Sequence, residues 1–292
     1  MKEVLLKVRN LSKTFRSDKG ILKALDDVSF DVCKGETLGV VGESGCGKTT
    51  LGRCVVGLLK PDRGTIVFSD ASKHKQIIFQ DPYNSVDPYW TVEKIVCETC
   101  NDRKKAVKLL KEVGLTEDEK DSFPHELSGG QLQRVGIARA LGGDPDFIVC
   151  DEPVSALDVS YQSKIISLLE DLQKENDLTY LFISHDLAVV RHIADRIMIM
   201  YKGQIMEIGE TSQVVNKPAH PYTRFLLSAV PAPFGEREQF DIRDDEVVSE
   251  GCPFAPRCPY RKDVCLKNRR MLKEIDEGHL AACYNIGTDG GQ

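Results

Sequence analysis

The chain opens on alternating apolar and polar positions, and Val4–Val8 and Leu25–Val32 read as strands of an antiparallel sheet with one buried face. After a turn at Gly35, Thr37–Val41 is a short unbroken apolar run, the pattern of a strand covered on both faces. It feeds a glycine-rich loop, Gly42–Lys48, and Thr49–Leu59 has helical spacing up to the stop at Pro61. From about 82 to 143 the character changes, and periodicity over Lys104–Val113 and Gln131–Leu141 predicts a helical insert. Beyond it, the strand-like runs Phe147–Cys150, Thr179–Ser184 and Arg196–Met200 alternate with helices predicted over Gln162–Lys174 and Leu187–Ala194. This alternation predicts an α/β fold with a mainly parallel sheet covered on both faces, beside an antiparallel β subdomain. After about Ser228 come Pro231, Pro233, Gly235 and the charged run 236–250. We therefore expect one unit over 1–228, with a helical subdomain inserted at about 82–143, and a small irregular C-terminal extension over 229–292.

Composition narrows the classes. A length of 292 residues suffices for a large core. The net charge of −6, with Lys+Arg 39 against Asp+Glu 45, argues against a nucleic-acid partner. The N-terminus lacks the apolar core of a secretory signal, and no run of 18 apolar residues occurs, so a cytoplasmic chain is expected. Any membrane role would come from docking onto other chains. Of ten cysteines, six are scattered through the first 150 residues, whereas Cys252, Cys258, Cys265 and Cys283 crowd the end.

The loop Gly42–Thr49 matches GxxxxGK[ST] between a predicted strand and a predicted helix, the context that supports phosphate binding. Glycines let the backbone approach phosphates closely, and successive N–H groups with the helix N-terminus supply positive potential. Candidate nucleotide contacts are Gly42, Glu43, Ser44, Gly45, Cys46, Gly47, Lys48, Thr49 and Thr50. Lys48 would reach the β- and γ-phosphates and Thr49 would ligate Mg²⁺. The apolar strand Phe147–Cys150 delivers Asp151, a second Mg²⁺ ligand, and Glu152, a general base for water. A solvated acidic turn is the alternative, and the wholly apolar strand before it argues against that.

Leu127-Ser128-Gly129-Gly130-Gln131 lies at a predicted helix start and ends twenty residues before Asp151. With Gln80 in FQDP, Ser155-Ala156-Leu157-Asp158 and His185 in ISHD, it resembles the ABC ATPase family over about the first 230 residues. The resemblance implies a P-loop NTPase core that hydrolyses ATP with Mg²⁺. It implies that Phe15 stacks on adenine, that Gln80 senses Mg²⁺ and the attacking water, and that His185 contacts the γ-phosphate. It further implies that Asp158 links two sites, and that Ser128, Gly130 and Gln131 close over ATP held by a second ATPase subunit.

His220–Arg224 and Gly251–Pro259 resemble the oligopeptide/dipeptide importer subfamily. That resemblance implies two related ATPase chains beneath two transmembrane permease subunits, on the inner face of the cell membrane, with an extracytoplasmic substrate-binding protein delivering cargo. Relatives carry dipeptides, oligopeptides, nickel or sugars. A soluble ABC ATPase or an accessory ATPase of a metabolic complex are the competing readings. Only 15 residues separate Gly64 from Gln80, so a trimmed outer sheet is expected.

The cysteine spacing, Cys252-x5-Cys258-x6-Cys265-x17-Cys283, can close four thiolates around one centre. It lacks the paired CxxC of zinc ribbons, and both the wider loops and the subfamily resemblance point to a [4Fe–4S] cluster, with Zn²⁺ as alternative. Four reduced thiols are the plain alternative. Cys46, at a helix N-terminus, is either a low-pKa thiol open to oxidation or a small residue that fits its loop.

Overall fold

The computed structural model describes residues 3–17, 20–69, 74–155, 157–229 and 250–286. In chain order, β1 (Val4–Ser17) and β2 (Gly20–Cys33) precede β3 (Thr37–Val41), α1 (Lys48–Val55), β4 (Arg63–Phe68) and β5 (Lys75–Ile78). The helical insert holds α2 (Val92–Cys100), α3 (Arg103–Glu112) and α4 (Gly129–Gly142). Then come β6 (Phe147–Asp151), α5 (Val159–Asn176), β7 (Thr179–Ser184), α6 (Leu187–Ile193), β8 (Arg196–Tyr201) and β9 (Gln204–Glu210). The chain continues through α7 (Thr211–Asn216), α8 (Pro221–Ala229), α9 (Asp263–Lys267), β10 (Lys273–Asp276) and β11 (His279–Ala281).

Two sheets result: an antiparallel one in the order β2-β1-β4, and a larger one in the order β10-β11-β9-β8-β3-β7-β6-β5. Strands β5, β6, β7, β3 and β8 run parallel, so their carboxyl ends share one edge. In β3, β6 and β7 every residue is buried, as their unbroken apolar runs require. The period of two sorts their side chains. Leu181 and Ile183 of β7 pack with Leu5, Val8 and Val28 of the antiparallel sheet, while Tyr180 and Phe182 pack with the helices on the opposite face.

Local chemistry starts the insert's helices. Thr91 caps α2 by accepting from the Lys94 amide, and Asp102 caps α3 by accepting from Lys104 and Lys105. Helix α1 ends at Val55, short of the expected Leu59, where Gly57 takes φ +85° just past the helix end.

The extension departs from the irregular expectation. Its residues 279–281 return as β11 alongside β9, with Leu280 opposite Ile208 and Ala281 opposite Glu207. An open edge beside the apolar strand β9 is thereby covered. Beneath it, the carboxylate of fully buried Glu207 accepts from the amides of Ala219 (2.9 Å) and His220 (2.8 Å), the Thr223 hydroxyl (2.6 Å) and His279 Nε2 (2.7 Å). Four partners satisfy a charge that burial would otherwise penalise by several kcal/mol. Pro231, Pro233, Gly235 and nearly all of the charged run lie outside the described residues.

Candidate nucleotide-binding site

Strand β3 ends against tight packing that only glycine permits. A Cβ on Gly42 would stand 2.1 Å from the Met200 carbonyl oxygen, and one on Gly47, at φ +107°, would stand 2.1 Å from that of Ala24. The chain then turns straight into α1, whose first residue, Lys48, is 5% exposed. Its ammonium donates to the carbonyl oxygens of Gly42 (2.7 Å) and Glu43 (3.1 Å). A cation held inside a loop of amides at a helix start makes a concavity suited to phosphate.

The neighbouring strand ends bring the polar chemistry. Thr49 donates its hydroxyl to Asp151 Oδ1 at 3.0 Å, joining α1 to the end of β6. Burial pushes the Asp151 carboxyl above the ordinary range, against the Thr49 hydrogen bond and the Arg53 charge, which pull it down. Glu152 has left-handed backbone, φ 48°, and its amide donates to the Ile183 carbonyl of β7 at 3.0 Å. Its Oε2 accepts from Gln80 Nε2 at 3.1 Å and lies 3.2 Å from His185 Nδ1. Residues after β5, β6 and β7 thus meet at one carboxylate, as the shared edge of parallel strands dictates.

A cleft of about 480 Å³ is lined by Phe15, Leu22, Ala24, Ser44, Gly45, Gly47, Lys48, Thr49, Thr50, Gln80, Glu152 and His185. A second, of about 720 Å³, shares Gln80, Glu152 and His185 and runs to Gly129, Gln133 and Leu157. Ser128, Gly130 and Gln131 do not line the cleft that holds Lys48. Instead Ser128 caps α4: its hydroxyl accepts from the Gln131 amide at 3.3 Å, and Gln131 Oε1 accepts from the Ser128 amide at 2.9 Å. Gln131 Nε2 also donates to Glu119. Asp158, the residue before α5, is exposed.

A family model described as ABC transporter matches residues 25–155, and one described as the oligopeptide/dipeptide transporter C-terminal region matches residues 206–265. Over 307 residues the chain is 42% identical to the oligopeptide transport ATP-binding protein OppF of Bacillus subtilis (strain 168), covering 97% of each. The chain belongs to the ABC transporter ATPases. It is likewise 42% identical over 323 residues to AppF, an oligopeptide transport ATP-binding protein of the same organism, covering 97% of each. Among solved structures, a dimeric ATP-binding cassette in a post-hydrolysis state with ADP and Pi is 30% identical, with a TM-score of 0.63 over 71% of this chain and 99% of that one.

Three side chains of this ABC ATPase reach the cleft or its loop without having been singled out in the sequence. Leu22, 60% exposed at the hairpin tip, faces the cleft with Phe15, and no sequence signal marked it. The Tyr222 hydroxyl accepts from the Glu43 amide at 3.0 Å, and Arg257 Nη1 donates to both Glu43 carboxylate oxygens at 2.9 and 3.1 Å. Tyr222 and Arg257 stand in the two subfamily motifs, but nothing local connects those motifs to the phosphate loop. Of the two readings of Cys46, the structure favours the small residue that fits its loop: it is 4% exposed, and burial pushes its thiol up against the pull of the nearby Lys48 charge.

The cysteine tail of this ABC ATPase gives mixed geometry. Among the described residues, no group of three or more His, Cys, Asp or Glu side chains is placed to hold a metal ion, so the expected centre draws no support from that. The thiols do lie within electrostatic reach of one another. Burial first, and neighbouring thiols with it, push Cys252 up to about 12 and Cys258 up to about 11, and Cys283 rises for the same reasons. Such thiols stay protonated at neutral pH unless a cation draws the proton off. The Cys252 amide donates to the Cys265 carbonyl at 2.8 Å, and His220 Nε2 lies 3.9 Å from Cys252 Sγ.

Proposed function

We propose that this ABC ATPase powers the import of di- or oligopeptides, as one of two ATPase subunits beneath two transmembrane permeases that an extracytoplasmic binding protein supplies. The observation that carries this reading is the match of residues 206–265 to the oligopeptide/dipeptide transporter C-terminal region. Among the described residues no helix is long and apolar enough to cross a membrane, which fits a chain that docks on the inner face of the cell membrane. We read 1–228 as the ATPase unit with its insert at about 82–143, and 229–292 as the extension.

In this reading Gly42–Thr50 and Lys48 bind the phosphates of ATP, and Phe15 with Leu22 flank the adenine. Thr49 and Asp151, already hydrogen-bonded, hold Mg²⁺ with Gln80 nearby; a buried carboxylate beside a hydroxyl suits a hard cation. Bound Mg²⁺ supplies neutralisation of phosphate charge. Glu152 takes the proton of the attacking water, with Gln80 and His185 fixing its carboxylate. Ser128, Gly130 and Gln131 serve the partner's nucleotide, in keeping with their absence from the lining of the cleft that holds Lys48. The test is reconstitution with the native membrane partners in proteoliposomes. Binding protein loaded with peptide should stimulate ATP hydrolysis and drive peptide uptake; stimulation by nickel or a sugar alone would overturn the cargo.

For the tail, our reading is a [4Fe–4S] cluster on Cys252, Cys258, Cys265 and Cys283, with Zn²⁺ as alternative. Its support is four thiols within 32 residues, with Cys252 close enough to Cys258, Cys265 and Cys283 to feel the charge of each. Iron and acid-labile sulfide in an anaerobic preparation would uphold it; zinc without iron would replace it, and neither would leave four reduced thiols.

A further inference from the structure

The C-terminal extension reaches the phosphate loop, and it does so through one cation. Arg257, 9% exposed, lies in the turn between two cysteines, where the Ala255 amide donates to the Cys252 carbonyl (3.0 Å) and the Cys258 amide to that of Ala255 (3.2 Å). Its guanidinium sits 4.8 Å from the Phe225 ring centroid, 5.7 Å from that of Phe254 and 5.9 Å from that of Tyr201. An aromatic cage of this kind fixes a guanidinium and strips much of its water, which strengthens its pairing with a carboxylate. The partner is Glu43, 214 positions away in sequence, whose carboxylate is engaged at 2.9 and 3.1 Å.

Glu43 is the second residue of the loop. Its carbonyl oxygen supports the Lys48 ammonium (3.1 Å), and its amide donates to Tyr222 (3.0 Å), whose ring packs tilted against Tyr201 at 4.6 Å and Phe254 at 5.2 Å between centroids. The same residue therefore steadies the catalytic lysine from within and is held from outside at both its amide and its carboxylate. A free carboxylate here would oppose the polyanion that the loop is built to receive. We propose that Arg257 is a positioning residue for nucleotide binding: the extension braces the phosphate loop and cancels the charge of Glu43, so that MgATP affinity depends on the C-terminal turn. This rests on the reading that Gly42–Thr50 holds the nucleotide.

The experiment measures affinity for a fluorescent ATP analogue and its ADP counterpart, with Mg²⁺, on the full chain. Arg257→Ala should weaken ATP binding by about tenfold, the scale of one uncompensated charge near a partly solvated site. ADP, with fewer charges, should lose less, and raised salt should narrow the gap. Adding Glu43→Gln to Arg257→Ala should recover most of the loss, since the uncompensated carboxylate has gone, and the double-mutant cycle reads the coupling. Arg257→Lys, which keeps the charge but not the planar stacking, should fall between wild type and Arg257→Ala and provides the readout should the alanine variant fail to fold. A packing role alone would lower the melting temperature while leaving the ATP-to-ADP ratio unchanged in the folded protein; that result, or unchanged ATP affinity, overturns the proposal. Lys48→Ala separates the two readings: retained ATP binding would sink the loop assignment itself, whereas lost binding beside an unaffected Arg257→Ala would sink only the brace.

Discussion

Glu152 sits in left-handed backbone that a β-unbranched acid adopts only at a cost, of order 1–3 kcal/mol. The amide bond to Ile183 and the contacts with Gln80 and His185 hold it there. Such over-determined strain at the end of a buried strand is what a residue needs to present one oxygen in one direction. Glu152→Gln keeps the shape and removes the base. Turnover should fall by about 10²–10⁴-fold, while ATP binding persists and ATP-bound dimer accumulates in size-exclusion chromatography. Unchanged turnover would refute the role. At the far end of β1, Asp62 accepts from Lys13 Nζ (2.9 Å) and from the Thr14 amide (2.6 Å) and hydroxyl (2.8 Å). Lys13 first, then Thr14, lowers its carboxyl to about 2 from 3.8. A folded-state value below the unfolded one means that the contribution is present above pH 3.8 and is lost as the pH falls toward 2. In urea titrations between pH 5 and 3, stability should therefore decline less steeply for Asp62→Asn than for wild type.

At the scale of elements, Ser128 at the start of α4 has one observed use and one proposed use. Ser128 closes the reciprocal cap with Gln131, so it satisfies backbone donors that α4 would otherwise leave open. The proposed partner nucleotide would meet the same helix start. Ser128→Ala should cost about 1 kcal/mol in chemical denaturation. The cooperative ATPase activity of the paired subunits should fall further than that loss of stability explains; a matching fall would leave Ser128 as a cap and nothing more. The side chains of this cap are tied within α4 and to Glu119, and not to their own chain's phosphate loop.

For the whole molecule, the decisive feature is how the described part of the C-terminal extension closes on β9 and on the loop after β3. The return of β11 to the sheet edge buries His279 (3% exposed) against Glu207 (0% exposed). Removing one member of such a pair leaves a buried charge short of a partner. His279→Ala should lower stability by about 3 kcal/mol or more, read as a shift of the urea midpoint. A shift under about 0.5 kcal/mol would show that the remaining donors on Glu207 suffice. The same extension pairs Arg257 with Glu43 in the loop after β3, so it contacts the candidate site as well as the sheet edge.

The sequence by itself determined the family and the order of the central elements, and it named the candidate site residues that the fold brings together. Unbroken apolar runs such as Thr37–Val41 and Thr179–Ser184 read as buried strands because no other element buries both faces in five or six residues. Gly42–Thr49, Asp151 and Glu152 read as a phosphate and metal site because the chemistry tolerates few substitutes at that spacing. What only the tertiary structure decided was pairing at long range. Nothing local in Lys273–Ala281 distinguishes a surface turn from two strands that finish a sheet, and nothing in the Arg257 turn names Glu43 as its partner. Those contacts cover the open edge of β9 and pair the half-exposed Glu43 carboxylate with a largely buried guanidinium. Such contacts are set by packing and desolvation, and they appear only once the chain has folded.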